Sequence, residues 1–191
     1  MDMYLYSKKP KYKKFLKGVL VWIVEIALVI LAAYLIIEYG VEKTTMMGVS
    51  MNSTLNEGDK IIINKLAYLK REPERNDVIV FSQSKSSHGY YNIKRVIGLP
   101  GETVEIVNGE VYINGVRHLE VIPVEAMRVA GLADEAIHLG ENEFFVLGDN
   151  RNYSEDSRFA NIGIIVKNDI VGKAWLRLEP FSIIDKINRE D

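Results

Sequence analysis

Cysteine is absent from all 191 residues. Its absence excludes a disulfide scaffold, a Cys-ligated zinc or iron–sulfur centre, and a thiol nucleophile. Histidine is scarce. His88, His118 and His138 are the only three, and no two are four residues apart, so a helical zinc motif is missing and little is left for a His-rich metal site. Nothing in the chain calls for a cofactor. The five prolines form no Pro-rich linker, and no internal repeat is visible. A formal charge of −2 leaves the chain without a strong excess of either sign. With 48% hydrophobic and 26% charged residues, the chain is neither disordered nor of low complexity, and its length suits one domain of ordinary size.

The near balance of charge hides an asymmetry. Residues 1–17 carry six Lys and one Asp, a sum of +5, and the remaining 174 residues sum to −7. A basic tail ahead of an acidic body points to nucleic acid or to a membrane. Residues 19–37, VLVWIVEIALVILAAYLII, decide for the membrane and against nucleic acid, because eighteen of the nineteen are apolar or aromatic. As a helix this run spans about 28 Å, close to a hydrocarbon core. Apolar side chains cover every face, which disfavours a buried helix of a soluble domain. Glu25 is the exception, an acidic group at mid-depth.

The run is longer than the apolar core of a cleavable signal peptide, and residues 38–43, EYGVEK, offer no Ala-x-Ala site, so it reads as an uncleaved anchor. Lys8, Lys9, Lys11, Lys13, Lys14 and Lys17 predict a cytoplasmic N-terminus, with everything beyond about residue 40 on the outer side of the cell membrane. They also suit an anionic lipid surface, at about 1 kcal/mol per charge. The expected organisation is a basic cytoplasmic tail (1–17), a single transmembrane anchor (18–38) and an extracytoplasmic domain (39–191).

That outer domain reads as mainly β. Short strand-like runs cover 59–64, 77–81, 91–97, 143–148 and 170–178, and the polar stretch 82–90 reads as a loop. In TVEIVNGEVYINGV (103–116), Val104, Ile106, Val111 and Ile113 alternate with polar residues around Asn108-Gly109, the pattern of a type I′ hairpin, and Asn114-Gly115 marks a second turn. Residues 125–138 are expected to form a short helix. Many short strands with Gly-rich turns predict an antiparallel sheet or barrel-like domain behind the one N-terminal helix.

Three local features stand out from a plain sheet domain. Gly48-Val49-Ser50-Met51 is a small-residue loop carrying a hydroxyl about ten residues past the apolar run. Lys94 lies in a strand beside Ile93, Val96 and Ile97. Gly148-Asp149-Asn150-Arg151 through Ser154, Asp156, Ser157 and Arg158 crowds polar residues behind an apolar strand. Each has an ordinary explanation: a turn serine, an outward-snorkelling lysine, a set of surface pairs.

In combination and in order, they resemble type I signal peptidases of the Gram-positive kind. Ser50-Met51-Asn52-Ser53-Thr54-Leu55 resembles that family's Ser-Met-x-Pro-Thr-Leu, Lys94-Arg95-Val96-Ile97-Gly98-Leu99-Pro100-Gly101-Glu102 its lysine motif, and Gly148 to Arg158 its third signature. The resemblance runs from the anchor to about residue 178. Ser53 stands where the family usually has Pro, a residue that stiffens the turn, so Ser53→Pro is expected to be neutral or stabilising if φ at 53 lies near about −65°. Asn76 replaces a common Gly.

The resemblance implies a membrane-anchored serine endopeptidase that removes signal peptides from exported preproteins. Its expected partners are those signal peptides, membrane lipid and the protein export machinery. It assigns Ser50 as nucleophile and Lys94 as general base, with Ser154 hydrogen-bonding and orienting Lys94, and Asp149, Arg95, Asp156 and Arg158 forming a supporting salt-bridge network. Serine needs a base to take its proton, and no His falls in any motif. Lys serves only when neutral, a state that burial favours. A rival reading is a catalytically silent, signal-peptidase-like membrane chaperone or binding module. The presence of both Ser50 and Lys94 argues against it.

Overall fold

A computed structural model describes residues 11–82 and 91–186. It divides into two units at Gly40/Val41. In the first, a single helix α1 runs over Lys11–Gly40, a length of about 45 Å for its 30 residues. Within it, Lys14–Gly40 is long and apolar enough to cross a membrane. The helix takes in Lys11 to Lys17 as well, a stretch with no Pro and no Gly to break it. The rest of the basic tail, residues 1–10, lies outside the described residues.

The second unit is built from twelve strands among the described residues: β1 (Val41–Thr45), β2 (Lys60–Asn64), β3 (Val78–Phe81), β4 (Asn92–Gly98), β5 (Thr103–Val107), β6 (Glu110–Ile113), β7 (Val116–Arg117), β8 (Ile137–His138), β9 (Glu143–Leu147), β10 (Ile165–Val166), β11 (Ile170–Leu178) and β12 (Phe181–Ile183). Eight form one sheet in the order β1-β2-β11-β3-β4-β9-β10, with β12 on β11; the others form a four-stranded sheet β7-β6-β5-β8. The pairings are antiparallel, as the short alternating runs predict. The loop expected at 82–90 falls, from residue 83 onward, outside the described residues.

The 103–116 hairpin forms as read. Asn108 and Gly109 take φ of 52° and 81°, and Val104 faces Ile113 while Ile106 faces Val111. Val104, Ile106 and Val111 are buried with Ile97, Leu139, Phe145 and Leu147, joining the small sheet to the end of the large one. The second turn also forms, with φ of 52° at Asn114 and 78° at Gly115.

The helix expected over 125–138 does not form. That stretch holds only a 3-10 turn at Gly131–Asp134 and the short β8. Its backbone is instead committed outward to the 148–158 loop: the Arg128 N–H donates to Asn152 Oδ1 at 3.0 Å, the Val129 carbonyl accepts from Arg158 Nη1 at 3.1 Å, and the Leu132 N–H donates to the Arg158 carbonyl at 2.8 Å. Main-chain groups bonded this way cannot also close a helical ladder. Gly131, at φ 59°, permits the approach, since a Cβ there would stand 2.3 Å from the Arg158 carbonyl.

β3 is buried along its whole length, so the large sheet is covered on both faces there. Val78 and Val80 pack with Met46, Met51, Leu55, Ile61 and Ile63. Ile79 and Phe81 pack with Val96, Phe144 and Val146.

Candidate active site

The segment between β1 and β2 carries Ser50. Met51 and Leu55 are fully buried and anchor this loop to the core, and Met46 joins them. Of the three methionines in the loop, Met46 and Met51 are core, whereas Met47 is exposed. Three successive carbonyls of the loop are held. The Val49 carbonyl accepts from Asn52 N (3.1 Å) and from Asn150 Nδ2 (3.1 Å), that of Ser50 from Asn150 N (3.0 Å), and that of Met51 from Thr54 N (3.0 Å) and Leu55 N (2.8 Å).

Lys94 lies at the middle of β4, opposite Ile79 in β3. It is only 5% exposed, and its Nζ lies 2.8 Å from Ser50 Oγ. Burial pushes the Lys94 pKa below the ordinary ammonium value; Asp156, Glu155 and Asp149 pull the other way without reversing it. Its neighbours Ile93, Val96 and Ile97 are buried, as the sequence suggests. The outward, snorkelling lysine is not what the structure shows.

Arg95, the next residue, is fully buried in a two-pronged pair with Asp149: Nε to Oδ1 at 2.8 Å and Nη2 to Oδ2 at 2.7 Å. Its remaining donors reach the Asn76 carbonyl (2.9 Å) and Thr54 Oγ1 (3.2 Å). Arg158 holds Asp156 the same way, at 2.8 and 2.9 Å, and also donates to the Arg151 carbonyl at 2.6 Å. The four residues thus form two separate bidentate pairs. A backbone link joins them, because Asp156 also accepts from the Gly148 N–H, next to Asp149, at 3.1 Å.

Ser154 sits close by, but the expected hydrogen bond to Lys94 is not made: Ser154 Oγ is buried without a partner. Gly148 brings the first and third motifs together. A Cβ there would stand 2.2 Å from Ser154 Oγ and 2.5 Å from the Ser50 carbonyl, so only glycine allows this approach. Two of the non-glycine residues that the resemblance singles out take left-handed backbone. Asn76 has φ 72°, a conformation Asn tolerates. Ser53 has φ 90°. That corrects the expectation for Ser53→Pro, because a pyrrolidine ring fixes φ near about −65° and cannot adopt this turn.

Sequence reasoning missed Asn150 and Thr54 as contacts, although both lie inside the quoted motifs. It also missed Arg177, whose Nη1 reaches the Thr54 carbonyl at 3.3 Å from β11; no local pattern marks that residue. Among the described residues no group of three or more His, Cys, Asp or Glu is arranged to hold a metal ion.

A poorly hydrated amine beside a loop hydroxyl can abstract the hydroxyl proton, so this is a geometry for acyl transfer by a serine-type hydrolase. The family model and the curated relatives agree with that class. Residues 19–179 match the family model "Signal peptidase, peptidase S26". Signal peptidase IB of Staphylococcus aureus (strain COL) is 32% identical over 183 residues, covering 87% of this chain and 92% of its own. A probable signal peptidase I-2 of Synechocystis sp. is 35% identical over 136 residues, covering 69% of this chain and 60% of its own. A crystal structure of a signal peptidase I from Enterococcus faecalis V583 superposes with a TM-score of 0.41 at 31% identity, covering 54% of this chain and 97% of that one. The chain belongs to the signal peptidase family, peptidase S26, a family of serine endopeptidases.

Proposed function

We propose that this chain is a membrane-anchored endopeptidase that cleaves signal peptides from exported preproteins with Ser50 as nucleophile and Lys94 as general base. The observation that carries the reading is the 2.8 Å separation of Lys94 Nζ from Ser50 Oγ at a lysine 95% withdrawn from solvent. Neutral Lys94 takes the Ser50 proton as Oγ attacks the scissile carbonyl carbon. The C–N bond then breaks, Lys94 returns the proton to the leaving amine, and an ester of Ser50 remains for water to hydrolyse. The Ser50 N–H donates to the developing oxyanion, a role worth about 3–4 kcal/mol where such a donor has been removed. The Arg95–Asp149 and Arg158–Asp156 pairs support the site and move no proton. Ser154, buried beside Gly148 with its hydroxyl unpartnered, is the residue that this reading assigns to orient Lys94.

A signal peptide places its apolar stretch in the bilayer and its small-x-small site just outside. α1 as anchor, with the Lys-rich end cytoplasmic and the β-domain outside, puts the enzyme on the membrane where those substrates emerge from the export machinery, and anionic lipid then meets the basic tail. Two experiments test the reading. Cleavage of a preprotein by the detergent-solubilised chain is expected, with Ser50→Ala inactive; retained cleavage in that variant removes Ser50 from its role. Protease added to intact spheroplasts is expected to digest the region after residue 40 and spare an N-terminal tag, and the reverse pattern inverts the topology.

A further inference from the structure

The third motif contributes a residue to which neither the ion pairs nor the proton transfer assign any task. Asn150 follows Asp149 and reaches the nucleophile loop twice. Its backbone N–H donates to the Ser50 carbonyl at 3.0 Å, and its side-chain Nδ2 donates to the Val49 carbonyl at 3.1 Å. The second bond bears on the chemistry through peptide geometry. The Val49 carbonyl and the Ser50 N–H belong to one planar trans unit, so they point in opposite directions. Whatever fixes the carbonyl aims the N–H. Two donors fix it here. Asn52 N, at 3.1 Å, belongs to the same turn and moves with it. Asn150 Nδ2 comes from a different part of the chain, where Gly148 and the Arg95–Asp149 pair hold the backbone.

We propose that Asn150 is a positioning residue that orients the Ser50 N–H toward the oxyanion by clamping the Val49 carbonyl from behind. This deepens the Ser50/Lys94 reading and rests on it. Asn suits the place, because the contact needs a short side chain with an N–H donor. Asp is the same shape but carries only acceptors when ionised, so it would repel the carbonyl rather than hold it. Ala leaves only the bond within the turn, and the peptide unit is then free to rock.

The test compares wild type, Asn150→Ala and Asn150→Asp on a signal-peptide substrate. It also measures the affinity of a peptide aldehyde, which forms a tetrahedral adduct on serine, and of the matching uncleavable peptide. The expected result is a fall in kcat of about 10-fold for Ala and about 100-fold for Asp, short of or equal to the loss when an oxyanion donor is deleted outright. KM and the uncleavable peptide's affinity should stay within twofold, and aldehyde affinity should fall in parallel with kcat. A residue that merely supports the loop would lower the melting temperature while leaving the ratio of aldehyde to peptide affinity unchanged; that pattern overturns the proposal, as does full activity in Asn150→Asp. Failure of the parent reading looks different, because it would show as cleavage by Ser50→Ala whatever stands at position 150.

Discussion

Replacing Lys94 by Met separates what this residue does for chemistry from what it does for stability, and the two should move in opposite directions. Met keeps an unbranched side chain of similar length and discards the ammonium. Its activity should fall at least about 10²–10⁴-fold, the range that a positioned general base supplies. The stability argument starts from the burial of Lys94 and the lowering of its pKa by desolvation. In the unfolded chain a lysine titrates near about 10.4. Below the depressed folded value both states are protonated, and the full cost of holding a charge in the apolar site is imposed on the fold. Between the folded value and about 10.4 the unfolded chain holds a proton that the folded one has released, so stability rises with pH; above that window the cost is gone.

Each tenfold change in the protonation equilibrium is worth about 1.4 kcal/mol. The hydrogen bond to Ser50 that Met loses is worth about 0.5–1.5 kcal/mol. Lys94→Met therefore gains over wild type once burial weakens proton binding by more than about tenfold. The gain should be greatest and constant at low pH, then shrink as pH climbs toward about 10.4. Wild-type kcat/KM should fall as pH drops through the folded pKa, so the stability cost is already complete where the rate begins to fail. Thermal denaturation of the solubilised chain from about pH 6 to 10, with preprotein cleavage over the same range, reads both. Cleavage retained by Lys94→Met, or a melting-temperature difference that does not vary with pH, refutes the reasoning.

Lys94→Arg should be as inactive as Met despite keeping the charge, because guanidinium does not release a proton at accessible pH; partial activity in a cleavage assay would return Lys94 to a structural role. Ser53→Pro should destabilise the β-domain by more than about 1 kcal/mol and lower activity, since φ is 90° at that position; an unchanged melting temperature would mean that the turn adopts another backbone. Gly148→Ala should cost about 1–3 kcal/mol and most of the activity, as its Cβ would stand 2.5 Å from the Ser50 carbonyl; kinetics alongside thermal denaturation would expose an open site there. Asp149→Ala leaves the Arg95 guanidinium charged and buried without its carboxylate, so a loss of about 3–5 kcal/mol is expected in chemical denaturation. Gly109→Val should lower stability markedly, because φ is 81° and a Cβ would meet the Met127 carbonyl at 2.7 Å; an unaffected melting temperature would refute the hairpin turn.

What the sequence decided by itself is what local chemistry dictates. An apolar run of membrane length is helical, because no alternative satisfies its backbone in hydrocarbon. Period-two alternation around Asn108-Gly109 specifies a hairpin, because only those residue types take positive φ there at little cost. The motifs around Ser50, Lys94 and Gly148–Arg158 were legible because each is a contiguous string. Tertiary structure decided the rest. Residues 125–138 carry no local signal of their fate, since their main-chain donors and acceptors are claimed by Asn152 and Arg158 from far along the chain. Ser53 occupies a backbone conformation that its side chain does not favour, imposed by a loop pinned at Met51 and Leu55. That Lys94 is buried rather than snorkelling, that Ser154 lacks its expected bond, and that Asn150 holds the Ser50 loop all depend on how strands distant in sequence meet. Such contacts are set by packing at long range, which no local pattern encodes.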